Sequence, residues 1–64
     1  MKLWIARDRD GRLYLHPIKP YLINVKPEAY WNNEDENWMQ LREEDFPEVT
    51  FENSPMEVEL VLKK

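Results

Sequence analysis

The sequence predicts a mainly β fold, with one domain over residues 1–64 and a single antiparallel sheet of about four to five strands. Near the amino terminus, two alternating apolar runs flank Asp10-Gly11, which contains the only glycine of the chain. This pattern is typical of a β-hairpin. Near the carboxyl terminus, apolar residues from Met56 to Leu62 alternate with Glu57 and Glu59, which is the period of a half-buried strand. A small α+β fold is the alternative.

The register of the hairpin follows from charge and turn chemistry. A two-residue loop would place Arg9 opposite Arg12, and like charges on directly opposed residues are destabilising. A three-residue loop places Asp8 opposite Arg12 and gives Gly11 the left-handed position of a type I turn with a bulge. We therefore favour the three-residue loop. It predicts four cross-strand pairs: Trp4 with His16, Ile5 with Leu15, Ala6 with Tyr14, and Arg7 with Leu13.

The same register divides the hairpin into two faces, because side chains alternate along a strand. One face is aliphatic, and we expect it to be buried in the core; it carries Leu3, Ile5, Leu13 and Leu15. The other face is where a binding site is to be sought first; it carries Trp4, Ala6, Tyr14 and His16.

Three prolines punctuate the segment that follows the hairpin, and proline lacks the donor that a sheet ladder needs. Residues 21–25, between Pro20 and Pro27, are apolar enough for a short edge strand. The alternative is an ordered loop that is anchored on the core by Ile18, Leu22 and Ile23.

Residues 28–46 allow two interpretations. In one, residues 29–32 and 38–41 are strands of a hairpin, with Trp31 opposite Trp38. In the other, Asn33 caps a helix that carries acidic residues in its first turn and runs to about Phe46. The aromatic pair Tyr30-Trp31 favours strands. Beyond them we expect a short helical turn near residues 43–46, an extended piece at 49–51, and a turn at 53–55.

Composition limits the classes of function. The chain has 13 acidic and 9 basic residues, a net charge of -4, and no cysteine. Direct binding of nucleic acid is disfavoured, because no basic stripe is present to neutralise phosphates. No apolar run reaches the roughly 18 residues of a membrane span, and the amino terminus lacks the apolar core of a signal peptide. We expect a cytoplasmic protein.

The chain offers little material for catalysis or cofactor binding. It has no cysteine, and its one serine, Ser54, lies beside Pro55 in a predicted turn. The single histidine, His16, is paired with Trp4 in the favoured register, where a structural role outweighs that of a general base. The cluster at 34–36 lacks the spacing of a calcium loop. We expect no enzyme activity, no catalytic residue, no metal and no cofactor.

A non-catalytic interaction or accessory module is the function that these features favour. Its partner would be another protein or a second copy of the chain, since a domain this small buries only about 60% of its unfolded surface. The alternative is a protein that sequesters a nucleotide-like ligand in an aromatic-lined site. A weaker alternative is an acidic mimic of nucleic acid. The candidate binding residues are Trp4, Arg7, Tyr14, His16, Tyr30 and Trp31.

Both ends of the chain resemble a group of short uncharacterised proteins from gut bacteria of the Bacteroides type and their phages. The resemblance implies a bacterial or phage origin, a cytoplasmic location and an accessory role, and it brings no activity, cofactor or catalytic residue. It rests on residues 2–8, Asp10-Gly11, residues 13–15, Lys19-Pro20 and residues 46–60.

Overall fold

The computed structural model describes residues 1–25 and 28–63, and these residues form strands, turns and loops with no helix. The strands are β1 (Lys2–Arg7), β2 (Leu13–His16), β3 (Tyr21–Asn24), β4 (Ala29–Asn32), β5 (Met39–Leu41) and β6 (Met56–Glu59). The predicted mainly β class is confirmed. The strands do not form one sheet, however: β5-β2-β1-β6 make a four-stranded antiparallel sheet, and β3 and β4 make a separate two-stranded one.

The amino-terminal hairpin has the register that a three-residue loop predicts. Trp4 lies opposite His16, and Ile5 lies opposite Leu15. The Asp8 N–H donates to the Arg12 carbonyl at 2.8 Å, and Gly11, whose φ is 100°, donates to the Asp8 carbonyl at 3.0 Å. The predicted charge pair across the turn does not form, because the Arg12 guanidinium lies 3.6 Å from Asp10 instead.

Asp8 joins the second sheet to the first. Its carboxylate accepts a 2.9 Å hydrogen bond from the Trp31 N–H, and the neighbouring Arg9 N–H donates to the Ala29 carbonyl at 3.2 Å. The inner edge of β4 is therefore held by the turn of the first hairpin. Strand β3 confirms the prediction of a strand within residues 21–25. It starts directly after Pro20, because proline lacks the N–H that a sheet ladder needs. The predicted boundary at Pro27 lies outside the described residues.

Strands β4 and β5 confirm the strand interpretation of residues 28–46, but they do not pair with each other. Asn33 begins a turn in which the Glu36 N–H donates to its carbonyl at 3.0 Å. Glu36 then adopts a φ of 49°, which ends the turn after one step and rules out the capped helix. The chain is redirected along β2, where Met39 pairs with Leu15, so the predicted pairing of Trp31 with Trp38 is wrong.

Residues 42–55 connect β5 to β6 without regular structure. The expected helical turn is a single hydrogen-bonded turn, in which the Asp45 N–H donates to the Arg42 carbonyl at 3.0 Å. Further along, Asn53 and Thr50 exchange side-chain-to-backbone hydrogen bonds of 2.7 and 3.1 Å. The core of the protein lies between this segment and the four-stranded sheet. It contains Ile5, Leu13 and Val49, with Leu15, Leu41 and Val58 packed against them.

Two substitutions at Asp8 distinguish the contribution of its hydrogen bond to stability from the contribution of its negative charge. Burial raises the pKa of the Asp8 carboxyl above its ordinary value of 3.8, while the Trp31 hydrogen bond acts in the opposite direction. A raised pKa means that stability is lost as the pH rises through the folded-state pKa and the carboxyl ionises. Asp8→Asn keeps the acceptor without the charge, so its free energy of unfolding at pH 7 should equal or exceed that of the wild type.

The matched variant Asp8→Ala leaves the Trp31 N–H without its acceptor and should cost about 1–3 kcal/mol. Urea denaturation followed by tryptophan fluorescence measures both variants. Equal losses in the Asn and Ala variants would contradict the role of this hydrogen bond.

Candidate functional site

The four-stranded sheet has one aromatic face and one aliphatic face, and the rest of the chain covers part of each. On the aromatic face, Ala6 and His16 are buried, with exposed fractions of 0% and 1%. The Trp38 ring lies 6.3 Å from the Tyr14 ring, edge to face, and the Lys19 ammonium lies 5.5 Å from the centre of the Trp4 ring. The part of this face around Ala6 and His16 is thus covered by the chain itself, while the side chains toward its two outer strands, such as Gln40 and Glu57, stay exposed.

His16 is part of a buried polar cluster that shapes the loop before β5. The Asn33 amide nitrogen lies 2.8 Å from His16 Nδ1 and donates a second hydrogen bond to the Asn37 carbonyl at 3.0 Å. Since that nitrogen is a donor, Nδ1 accepts and neutral His16 carries its proton on Nε2. Burial lowers the pKa of His16 below its ordinary value of 6.5. His16 is therefore a neutral structural group here.

The other candidate binding residues do not converge on one site. Tyr30 and Trp31 are neighbours on β4 and point to opposite sides of the two-stranded sheet. Tyr30 is exposed, whereas Trp31 is half-buried and lies 6.2 Å from the Phe51 ring. Trp4, Tyr14 and His16 share the aromatic face, while Arg7 lies on the aliphatic one. The six residues do not line a common pocket for a planar ligand.

Arg7 is fully engaged inside the protein. Its five guanidinium N–H groups donate to five backbone carbonyls, at 2.6, 2.7, 3.0, 3.1 and 3.3 Å. One acceptor lies in the hairpin turn and four lie in the segment after β5: Gly11, Glu43, Asp45, Phe46 and Val49. Its backbone N–H donates to the Ser54 hydroxyl at 2.9 Å. No guanidinium donor is left for a ligand.

The aliphatic face of the four-stranded sheet is the candidate functional site. Apart from Arg7, every strand side chain on this face is apolar: Leu3, Ile5, Leu13, Leu15, Met39, Leu41, Met56 and Val58. Val49 and the Arg7 contacts cover the end near the hairpin turn. The other end is a concave groove of about 300 Å³ that is lined by Leu3, Ile5, Leu15, Leu41, Phe46, Val58, Glu59 and Leu60. Met39 lies beside Leu15 on the same face and is 63% exposed.

Phe46 places an aromatic ring at this groove at a conformational cost. Its φ is 50°, a left-handed conformation that costs an L-residue about 1–2 kcal/mol. The Arg7 guanidinium and the Val49 N–H both donate to its carbonyl, at 3.3 and 2.9 Å. These bonds hold the residue in place, yet the side chain is 44% exposed. Glycine would adopt this backbone conformation without that cost.

The prediction that the aliphatic face of the hairpin lies in the core is confirmed at Ile5, Leu13 and Leu15, and Leu3 is half-buried at the groove. Met39 and Leu41 flank Gln40 as the alternation of a strand predicts. The sequence carries no signal of how far the rest of the chain covers this face, and Met39 and Met56 on it stay exposed. The left-handed backbone at Phe46 had no local signal either, because Pro47 favours an extended conformation for the residue before it.

Comparisons with protein families, curated proteins and solved structures found no match to this chain. Within residues 1–25 and 28–63, no three histidine, cysteine or acidic side chains gather in a group that could hold a metal ion. None of these residues forms a helix with the length and apolarity needed to cross a bilayer.

Arg7→Lys tests the engagement of the guanidinium. Lysine keeps the charge but offers three donors from one point and cannot reach five carbonyls. We expect the free energy of unfolding to fall by about 2–4 kcal/mol in urea denaturation. Arg12→Lys, at an exposed ion pair, is the matched control and should change stability by less than about 0.5 kcal/mol. Similar losses of unfolding free energy in the two variants would show that the guanidinium hydrogen bonds of Arg7 do not stabilise the fold.

The lowered pKa of His16 predicts a dependence of stability on pH. The unfolded chain binds a proton below pH 6.5 while the folded protein does not, so stability is full above the unfolded pKa and falls as the pH drops through it. His16→Gln retains an acceptor for Asn33 and removes the titration. Urea denaturation between pH 5 and 8 should show a slope below pH 6.5 in the wild type that is absent in the variant. Identical slopes would exclude His16 as its source.

Proposed function

We propose that the protein is a non-catalytic interaction module whose aliphatic face binds a second copy of the chain. The observation that supports this is the uniform composition of that face. Its strand side chains are apolar except Arg7, whose charge is turned inward onto carbonyls. A sheet face of this kind, left partly open, is a typical interaction surface.

The protein exposes more surface than a folded monomer of its mass usually does, which supports a surface that a second copy would cover. The chain exposes 4957 Å², whereas a folded monomer of 7.9 kDa exposes roughly 4,400 Å². A stable interface buries about 800 Å² on each partner, which is about a sixth of the exposed surface. Large apolar side chains at the groove and just after β6 contribute to the excess: Met39, Phe46, Met56, Leu60, Val61 and Leu62.

The distribution of charge favours a second copy as the occupant. Lys2, Glu57 and Glu59 lie on the aromatic side of the sheet, because they alternate with Leu3 and Val58. Two copies can therefore bring their aliphatic faces together with Glu57 on the outer side and Glu59 at the border of the groove. A two-fold axis makes one uncharged patch complementary to itself, and stacked sheets pack with their apolar side chains interdigitated.

The experiment is sedimentation of the purified protein over a concentration series, comparing two substitutions at left-handed residues. Phe46→Gly relieves the backbone and removes the ring from the groove, so the dissociation constant of the dimer should rise at least tenfold, about 1.4 kcal/mol. The unfolding free energy of the monomer should change little, because relief of the backbone offsets lost packing. Glu36→Gly relieves a similar backbone away from the groove and should leave the dimer unchanged.

A second matched pair keeps the test independent of backbone effects. Met39→Lys places a charge on the aliphatic face, and Gln40→Lys places the same charge on the opposite face of the same strand. Only the first should shift the equilibrium to monomer. A wild-type protein that stays monomeric up to millimolar concentration, or a dimer that both lysine variants weaken equally, would overturn the proposal.

A further inference from the structure

The edge of β6 is a second surface, distinct from the aliphatic face. Strand β6 is the last strand of the four-stranded sheet, and only one of its sides pairs, with β1. The pairing continues one residue beyond the strand, because the Leu60 N–H donates to the Met1 carbonyl at 2.9 Å. Since Met1 and Leu60 form a hydrogen-bonded pair, the backbone groups of Met56, Val58 and Leu60 face β1, and those of Glu57 and Glu59 point away from it. The opposite edge, β5, has only three residues.

Charge distinguishes this edge from an ordinary one. Glu57 and Glu59 project on the same face of β6, two residues and about 7 Å apart. Glu57 lies opposite Trp4 in β1 and has no ion-pair partner within residues 1–25 and 28–63. Glu59 lies opposite Lys2, and its carboxylate is 3.1 Å from the Met1 amino group, in a pair exposed on both sides.

These two glutamates disfavour pairing of the edge with a second copy. An antiparallel β6–β6 pair that keeps the aliphatic faces continuous places residues of one face opposite residues of the same face. A glutamate of one copy then lies opposite a glutamate of the other. Like charges directly opposed across strands are destabilising, and charged edges are a common protection against edge-to-edge association. The same carboxylates attract a strand that carries the opposite charge.

We infer that the β6 edge accepts an extended peptide in which lysine or arginine alternates with apolar residues. Main-chain hydrogen bonds to the N–H and C=O groups of Glu57 and Glu59 would add the peptide as a fifth strand. Its basic side chains would lie opposite Glu57 and Glu59, and its apolar side chains would extend the aliphatic face beside Met56 and Val58. The net charge of -4 favours the approach of such a peptide. The inference does not depend on the dimer, because face-to-face packing leaves the edges open.

The test uses a capped, fluorescent peptide of eight residues that alternates valine and lysine, with binding followed by anisotropy. A peptide of the same composition with its lysines in one block controls for charge alone. An alternating peptide with N-methyl groups on the backbone that faces β6 controls for strand addition. The alternating peptide should bind saturably, and both control peptides should bind at least tenfold more weakly.

The protein variants locate the site. Combined Glu57→Gln and Glu59→Gln should raise the dissociation constant of the alternating peptide at least tenfold. Combined Glu48→Gln and Glu52→Gln, which remove the same charge from exposed positions away from the edge, should change it less than twofold. Equal binding of the three peptides, equal effects of the two double variants, or no binding at millimolar peptide would overturn the inference. Sedimentation of the Glu57 and Glu59 variant reports separately on the dimer.

Discussion

The guanidinium of Arg7 is the interaction on which the arrangement of this small protein depends. Residues 42–55 lack regular structure, so only some of their carbonyls are paired within the segment, and others need donors from elsewhere. Arg7 supplies all five of its donors to backbone carbonyls, four of them in this segment, and its own N–H donates to Ser54. A planar group with a fixed fork of donors can satisfy several carbonyls at once. The contacts bring Val49 into the core and define which end of the aliphatic face is covered.

The two faces of the main sheet are covered unequally because the chain is short. The second sheet and the Asn33 loop lie over the aromatic face, where His16 and Ala6 are almost fully buried. What remains for the aliphatic face is one irregular segment, which reaches only the end near Arg7. A domain of this size buries only about 60% of the surface of its unfolded chain. Ile5 and Leu13 at the centre of the aliphatic face are buried, while Met39 and Met56 on its outer strands stay exposed.

Phe46 connects this architecture to function. A bulky side chain in a left-handed backbone costs free energy and persists only where its surroundings hold it. Here two hydrogen bonds to its carbonyl hold it, and the exposed ring lies at the groove. Glu57 and Glu59 are kept to the other side of the sheet by strand alternation. An apolar face suited to a second copy and an acidic edge suited to a basic strand thus coexist without interfering.

The sequence by itself determined the β class and the register of the first hairpin, and its alternation indicated the last strand. It favoured strands at residues 21–25, 29–32 and 38–41, with a loop and a capped helix as the alternatives. These features depend on neighbours close in sequence: alternation, proline positions and the chemistry of Asp10-Gly11. Tertiary structure alone decided that β5 pairs with β2, that Asp8 binds the Trp31 N–H, and that Met39 and Phe46 stay exposed. Each of these depends on groups far apart in the chain. A side chain's hydrogen-bonding capacity is visible in the sequence, but the backbone groups that it will meet are not.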